Sequence, residues 1–303
     1  MLEFTLGLLK DNFQFNSLRY LCTTNSTIIS FCMRKFSLLL LSVMMQTVCF
    51  AQVTVKGNVV NERGEAVEYV SIGFEDDSVG VISDAKGHFT IKIPAGRKKE
   101  LSFSHVSYLT TEVPYQEYAK GSELTVVLKD RVVELAEVVI GKKNKPKTIV
   151  GKGLPAPGLV GTSGHGSDLG PEGGVTFSCS KSYVISDILI NIAGITFEQC
   201  KVSINVYERQ GKRFVNIHQK PIYETLTKSK NKYTLDVRPE EDIVLKPKKE
   251  YYVSINVVDG YGEKGYLNMK AYMKNGLYRD AVKGKTKKFP ICPAIQVKGY
   301  EVE

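Results

Sequence analysis

The sequence predicts an all-β protein of two sandwiches, a small immunoglobulin- or prealbumin-like β-sandwich followed by a jelly-roll-like β-sandwich. Two long stretches contain short β-branched runs in which apolar and polar residues alternate. Turn residues separate these runs, and no stretch keeps the 3.6-residue period of a long helix. An apolar content of 43% is sufficient for packed cores.

The first alternating stretch, residues 53–140, predicts the smaller sandwich. Its runs end at turns rich in Asn, Asp and Gly, such as 61–64 and 84–87. After the second of these turns, Phe89, Ile91 and Ile93 fall on one side of a strand and the residues between them on the other. About five to seven short strands are expected here, which is typical of a small sandwich.

Residues 141–174 predict a flexible, solvated linker, because 14 of these 34 positions are Gly or Pro and the first part is rich in Lys. Alternation returns over 175–303. Val202, Ile204 and Val206 share one face of a strand, and the run 182–192, apolar on both faces, predicts a central strand. Uneven loops between such strands favour a jelly-roll-like double sheet.

The segment 33–51 has the layout of a secretory signal. Arg34 and Lys35 precede an apolar run of 13 residues, and a potential cleavage site follows at 49–51. The run is too short to cross a bilayer as a helix. We therefore expect a cleaved signal, an exported chain and no transmembrane segment in the mature protein. Residues 1–32 are interpreted as an extension from a start codon assigned too early. A lipoprotein in which Cys49 is acylated is the alternative to an ordinary secretory signal.

Charge and cysteine content limit the classes of partner. The net charge is +9, and it is near +7 without the four bases and two acids of residues 1–51. This balance suits acidic glycans or lipid headgroups, whereas export argues against nucleic acid. Cys179, Cys200 and Cys292 allow at most one internal disulfide. Pairing of Cys179 with Cys200 and burial as free thiols both remain open.

The first stretch carries a recognisable series of motifs. It runs through Gly57-Asn-Val59, Gly64, Val70-Ser-Ile72 and Gly80 to Phe89, and then through "LSFSHVSY" and "LTVVL". In this order the motifs resemble the carboxypeptidase regulatory-like domain over residues 53–140. The resemblance implies an envelope protein of Gram-negative bacteria, where the domain often precedes TonB-dependent transporters for polysaccharide fragments, and a non-catalytic role for the domain.

Five residues of these motifs have structural roles that can be stated physically. Gly57 belongs to the first strand, and Gly64 and Gly87 allow turns with positive φ. Asp84 is expected to accept hydrogen bonds from turn amides, and Phe89 to fill the sandwich interior.

The rest of the chain resembles parts of the same kind of protein. Residues 135–141 resemble the stretch that leads into a transporter plug, but the remaining chain is too short for a 22-stranded barrel, so an edge strand is the favoured interpretation. The C-terminal region resembles an uncharacterised jelly-roll-like module found behind this domain in exported proteins. That resemblance implies architecture only.

No constellation predicts chemistry, so we expect no catalytic residue, no cofactor and no metal site. His88, His105 and His218 have no carboxylate three residues later, and His165 with Asp168 lies in the predicted linker. "GTSGHG" lacks the last Gly of a nucleophile elbow. "KGKT" at 283–286 lacks the leading Gly of a phosphate loop.

Two groups of residues are candidates for ligand contact. The first is a sugar-stacking loop in which exposed tyrosines lie near carboxylates, and it contains Tyr252, Asp259, Tyr261, Glu263 and Tyr266. Rim tyrosines of a sandwich are the favoured alternative. The second is a basic loop for an acidic glycan or lipid headgroup, formed by Lys283, Lys285, Lys287 and Lys288. A solubilising loop is favoured there.

The sequence thus favours an exported, non-enzymatic envelope protein of the periplasm or outer-membrane surface that acts in binding or assembly. The first domain would dock onto an envelope protein, and the second would hold a polysaccharide or a protein. Nucleic acid is not an expected partner, and peripheral membrane association is compatible with the charge. The alternative is a glycan-directed hydrolase with its site in the C-terminal sandwich, which would require two suitably spaced carboxylates.

Overall fold

Alternating sequence produces strands along the whole described chain. The computed structural model describes residues 52–75, 77–120, 123–131, 145–164, 170–230, 232–261, 265–279 and 283–302. The predicted signal at 33–51, the extension before it and the segment 135–141 lie outside these residues. Within the described part of the chain, no helix has the length and apolar character needed to cross a membrane.

The N-terminal sandwich contains short strands and a single helical turn among its described residues. Its elements are β1 (Val53–Asn61), β2 (Ser71–Gly73), β3 (Gly80–Ile82), β4 (His88–Ile93), β5 (Leu101–Ser104), β6 (Thr111–Val113), α1 (Tyr115–Tyr118) and β7 (Leu124–Leu128). The sequence analysis predicted most of these strands but not β6 or α1.

The C-terminal sandwich is built from longer strands. Its elements are β8 (Lys147–Val150), β9 (Pro155–Gly164), β10 (Glu172–Ser178), β11 (Ser182–Ile195), β12 (Gln199–Gln210), β13 (Arg213–Asn216), β14 (Ile222–Thr227), β15 (Tyr233–Val237), β16 (Val244–Leu245), β17 (Glu250–Tyr261), β18 (Gly265–Tyr272), β19 (Gly276–Arg279), β20 (Lys287–Phe289), β21 (Cys292–Pro293) and β22 (Ile295–Val302).

Two sheets form each sandwich. In the N-terminal one, a three-stranded sheet β4-β1-β7 packs on a four-stranded sheet β3-β2-β5-β6. Phe89 and Phe103 meet between them, with ring centroids 5.4 Å apart. In the C-terminal one, a seven-stranded sheet β13-β12-β17-β10-β19-β20, with β14 on β12, packs on an eight-stranded sheet β21-β18-β11-β22-β8, with β15 and β16 on β11 and β9 on β18. The predicted all-β architecture of two sandwiches is confirmed.

The motif residues of the first domain have the roles that their chemistry predicts. Gly64 and Gly87 have φ of 77° and 76°. Asp84 Oδ1 accepts hydrogen bonds from the backbone N–H groups of residues 86 and 88, both at 2.8 Å. Phe89 is buried. At Gly57 a Cβ would lie 1.9 Å from the carbonyl oxygen of Leu124, so glycine there allows the parallel pairing of β1 with β7.

The predicted flexible linker at 141–174 is wrong for its described residues. β8 pairs with β22, β9 pairs with β18, and β10 lies between β17 and β19, so all three strands belong to the C-terminal sandwich. β8 and β9 each have one described neighbour, and edge strands tolerate Pro and Gly because one side of the backbone is free of ladder hydrogen bonds. The Gly and Pro content therefore reflects edge strands, and the second sandwich begins well before residue 175.

The buried faces of the long strands follow the predicted alternation. β11 is central, with neighbours on both sides, and Val202, Ile204 and Val206 are all buried. Cys179, Cys200 and Cys292 are free and buried. Burial raises the pKa of Cys200 to about 12 and that of Cys292 to about 11, so both thiols stay protonated at neutral pH.

Candidate functional site, a polar cleft between the two sandwiches

Residues 52–303 form one compact unit. The outer face of the four-stranded sheet β3-β2-β5-β6 lies toward the C-terminal sandwich. In the four-stranded sheet, Ile72 and Phe103 point into the core, so alternation turns Ser71, Ser102 and Ser104 toward the C-terminal sandwich. These outward side chains are small. They leave space between the sandwiches instead of filling it.

An aromatic and ionic contact joins the sandwiches on one side. Tyr69 and Tyr223 pack edge to face with centroids 5.2 Å apart, and the ammonium of Lys201 lies 5.0 Å from the Tyr69 ring centroid. The Tyr69 hydroxyl donates a hydrogen bond to Asp259 Oδ2 (3.2 Å). Tyr69 has φ of 53°, an unusual conformation for a residue with a side chain, and these contacts hold it there.

A second contact surrounds His105. Its Nδ1 accepts from the backbone N–H of Ser107 (3.2 Å), so Nε2 carries the proton and donates to the Tyr223 hydroxyl (3.2 Å). Burial, with a smaller contribution from the charge of His218, lowers the pKa of His105 to about 4. Because this pKa lies well below 7, the imidazole is neutral at pH 7. Arg131 adds a further hydrogen bond to this contact, from its guanidinium to the carbonyl oxygen of Asn216 (2.9 Å).

Tyr69, His105 and Tyr223 of these contacts also line a cleft of about 620 Å³, whose walls come from both sandwiches. Its volume falls in the range of small-ligand sites. Hydroxyl and amide groups from both walls line it together with half-buried aromatic rings such as Tyr108 and Phe214. Five cationic side chains (Arg131, Lys212, Arg213, Arg279 and Lys283) and three carboxylates (Glu75, Glu112 and Glu172) also line the cleft.

The register of five strands produces one wall of the cleft. Tyr223 of β14 lies opposite Ser203 of β12, and Ser203 lies opposite Asn256 of β17. Asn256 in turn lies opposite Glu172 of β10, which lies opposite Arg279 of β19. All five line the cleft, so a single row of polar side chains crosses the seven-stranded sheet.

A buried hydrogen-bond network surrounds Glu172 at the end of this row. Its Oε1 accepts from the hydroxyls of Tyr207 (2.9 Å) and Ser254, and its Oε2 lies 3.4 Å from Arg279 Nη2. Burial is the largest single effect on the pKa of Arg279 and would lower it, but the charge of Glu172, together with smaller contributions from Tyr207, Tyr252 and Glu75, raises that pKa. Burial and the same carboxylate raise the pKa of Tyr207. Both oxygens of Glu172 are thus engaged in holding the wall together.

Lys283 reaches from the C-terminal sandwich to the facing sheet. Its Nζ donates a hydrogen bond to the Ser102 hydroxyl (3.2 Å). A Cβ at Gly73 would lie 3.1 Å from its Cγ, so the missing side chain at residue 73 makes room for the lysine stem. Burial, opposed by the charge of Glu75, lowers the pKa of Lys283 to about 8. The predicted solubilising role is wrong for Lys283, although Lys285, Lys287 and Lys288 are exposed.

The described members of the predicted sugar-stacking loop are not brought together. Tyr252, expected to be exposed, is fully buried because Tyr207 stacks on it (5.6 Å) and Phe214 packs against it (5.5 Å). Its hydroxyl donates to the carbonyl oxygen of Leu277 (3.3 Å). Asp259 accepts a hydrogen bond in the contact between the sandwiches, and β17 continues through it to Tyr261. Tyr266 is 47% exposed, on a strand of the other sheet.

The remaining two members of that predicted loop, Glu263 and the side chain of Tyr261, lie outside the described residues, as do His165 and Asp168. The sequence analysis missed Glu172 because it lay in the predicted linker, and it considered only the apolar face of the strand that carries Ser203 and Asn205. The polar face of that strand was the available signal. Within the described residues, no group of three or more His, Cys, Asp or Glu side chains is placed to hold a metal ion.

Comparison with known families agrees with the N-terminal sandwich. The family model described as the CarboxypepD_reg-like domain matches residues 55–140. The chain contains a CarboxypepD_reg-like domain. In the described part of this domain, the outer face of its four-stranded sheet forms one wall of the cleft. No protein among the curated ones searched matches the chain.

Two matching solved structures are distant from this chain. The D431N mutant VP2 protein of infectious bursal disease virus, in derived T=1 particles, shares 11% identity, with coverage of 83% of this chain and 77% of that one and a TM-score of 0.20. The VP2 subviral particle of the same virus shares 11% identity, with coverage of 84% and 80% and a TM-score of 0.21. At TM-scores this low, neither match supports a conclusion about the fold of this chain.

Proposed function

We propose that this protein is an exported, non-enzymatic binding module of the bacterial cell envelope and that the cleft between its sandwiches binds a polysaccharide. The proposal depends mainly on the row of polar side chains that crosses the seven-stranded sheet and faces the serines of the CarboxypepD_reg-like domain. Sugars are bound by directed hydrogen bonds to hydroxyls together with aromatic surfaces that pack on their apolar faces. The cleft offers both.

The state of Glu172 favours binding over hydrolysis. A glycosidase needs one carboxyl group that can donate a proton and a second carboxylate at a defined distance. Both oxygens of Glu172 face donors, Oε1 the hydroxyls of Tyr207 and Ser254 and Oε2 the guanidinium of Arg279, and these contacts hold the carboxylate in place. We therefore propose that Glu172 stabilises the wall of the cleft and that the protein is not an enzyme.

The signal that the sequence predicts at 33–51 and the family resemblance support an envelope location. Docking of the CarboxypepD_reg-like domain onto an envelope protein stays part of the proposal. Because the outer face of its four-stranded sheet is used within the chain, we place such docking on the three-stranded sheet β4-β1-β7.

A glycan array probed with the full chain tests the proposed function. We expect binding that Phe214→Ala weakens at least about fivefold, because the Phe214 ring lines the cleft. Phe289→Ala is the matched control, since Phe289 is a 47% exposed ring that does not line the cleft, and it should bind as the native protein does. Absence of glycan binding, or equal loss in both variants, would reject the cleft as the site.

A further inference from the structure

Lys283 carries a charge that the cleft itself compensates poorly. Its ammonium donates to a neutral hydroxyl, that of Ser102, and forms no ion pair with a carboxylate of the described residues. By contrast, Arg279 faces Glu172 (3.4 Å) and Arg213 faces Glu75 (3.8 Å). A partly buried ammonium is stabilised by a nearby negative charge, and here a ligand is in a position to supply one.

Two neighbouring cations add to the shortage of negative charge around the Lys283 ammonium. Arg279 and Arg213 are close enough to disfavour its protonated form, whereas Glu75 and Glu112 favour it. The lowered pKa of Lys283 reports the net result, in which burial dominates. An anionic group bound at Nζ would reverse that balance, because opposite charges at short distance favour the charged form.

We propose that the cleft selects a saccharide that carries a carboxylate, such as a uronic or sialic acid, and that Lys283 pairs with this carboxylate. The inference rests on the proposed polysaccharide-binding function and adds the class of sugar and the residue that recognises it. The neutral part of the sugar would contact the polar row and the rings of Tyr108 and Phe214. Lys283 would sit over the acidic group, with its stem held against Gly73.

A recessed site favours a saccharide over a membrane surface. Lys283 is partly buried inside a concave cleft, whereas Lys285, Lys287 and Lys288 of the same loop are exposed. A lipid headgroup in a bilayer would meet the exposed lysines first. Binding of an acidic saccharide should therefore depend on Lys283, and binding to a membrane on the exposed lysines. Substitutions of these lysines distinguish the two ligands.

The test uses calorimetric titration of the full chain with matched sugars. Two acidic trisaccharides, one of galacturonic acid and one ending in sialic acid, are compared with their carboxyl-reduced neutral counterparts. We expect at least about tenfold tighter binding of an acidic member than of its neutral counterpart. Lys283→Met keeps most of the aliphatic stem and should reduce that preference to about twofold. Lys285→Met, the matched exposed control, should leave the preference unchanged.

Each other outcome has a distinct meaning. Equal binding of acidic and neutral sugars by the native protein overturns the carboxylate inference and leaves the proposed function standing. A preference that persists in Lys283→Met overturns the role of Lys283. Binding of no sugar overturns the proposed function itself. Binding to phosphatidylglycerol vesicles that Lys285→Met weakens, without a saccharide preference, assigns the charge to a membrane and also overturns the inference. Urea unfolding of Lys283→Met verifies that the variant folds.

Discussion

At the residue scale, Glu172 illustrates how one carboxylate stabilises a wall of the cleft. Glu172→Gln keeps an acceptor for Tyr207 and Ser254 but removes the negative charge that lies 3.4 Å from the guanidinium of Arg279. We expect the free energy of unfolding to fall by about 3 kcal/mol, because a buried guanidinium loses a nearby opposite charge. Urea denaturation measures this loss.

The matched control for this substitution is Glu198→Gln. Glu198 pairs with Lys228 at 2.9 Å, but both side chains are more than half exposed, at 73% and 55%. Its loss should cost less than about 1 kcal/mol, since solvent screens exposed pairs. Similar losses of unfolding free energy in the two variants would show that the Glu172 network does not stabilise the wall of the cleft.

His105 provides a pH dependence at the contact between the sandwiches. Its pKa of about 4 in the folded protein lies below the value of about 6.5 expected when unfolded, so the unfolded chain binds more protons between these values. Stability from this group is complete above about pH 6.5. It is lost as the pH falls toward 4, by up to about 3 kcal/mol.

Measurement of the unfolding free energy at pH 7 and pH 4.5 tests this expectation. His105→Gln should reduce the loss on acidification, leaving the part that buried His218 contributes through its own lowered pKa. The exposed His88 provides the control, because His88→Gln should keep the full loss. An undiminished acid sensitivity in His105→Gln would contradict the neutral, buried imidazole.

Single residues also mark where sequence reasoning succeeds and fails. The roles of Asp84 and Phe89 could be predicted because a turn and a strand period are local properties. The burial of Tyr252 could not, because the rings that cover it belong to Tyr207 and Phe214, about 40 residues earlier in the chain. An alternating pattern predicts which side of a strand a residue lies on, but not what covers that side.

At the scale of elements, the pairing of β1 with β7 depends on Gly57. In Gly57→Ala the new Cβ would meet the Leu124 carbonyl oxygen, which belongs to the backbone and cannot move aside cheaply. We expect the unfolding free energy to fall by about 3 kcal/mol, with faster hydrogen exchange in β7. Gly64 also has a positive φ, but no atom lies within 4 Å of the Cβ that Gly64→Ala would add. The expected loss of unfolding free energy for this control is therefore only about 1 kcal/mol. Normal exchange protection of β7 in Gly57→Ala would refute the proposed packing.

Edge strands explain the largest error of the sequence analysis. Residues 145–164 read as a linker because Gly and Pro usually interrupt secondary structure, yet Pro155 begins β9 and Pro157 lies within it. The described strands β8 and β9 each pair on one side only, where a missing N–H is tolerated. Composition alone does not separate an edge strand from a linker, since the tolerance comes from a partner strand far away in sequence.

At the scale of the whole molecule, the contact between the sandwiches is what creates the cleft. The Tyr69 hydroxyl and the Asp259 carboxylate meet across that contact. A double-mutant cycle of Tyr69→Phe and Asp259→Asn should therefore give a coupling energy of about 1 kcal/mol. The control cycle of Tyr69→Phe with the distant Glu198→Gln should be additive within about 0.5 kcal/mol. Additivity in the first cycle would mean that the sandwiches are not joined in this way.

The candidate site shows the limit of prediction from a single sequence. Basic charge indicated an acidic ligand and tyrosines near carboxylates indicated a sugar, both in general terms, and Lys283 was among the residues singled out. The cleft itself was not predictable, because its walls join Ser102 to Lys283 and His105 to Tyr223, more than 100 residues apart. Such a site depends on how two finished sandwiches dock, which neither strand period nor composition encodes.

Hydrogen exchange of the full chain, with and without the acidic trisaccharide that binds best, tests the central claim most directly. If a ligand occupies the cleft between the sandwiches, protection rises on both walls, in β5 of the CarboxypepD_reg-like domain and in β12 and β13 of the C-terminal sandwich. Protection confined to one sandwich, or to the strand ends around residues 259–266, would contradict a binding site built from both.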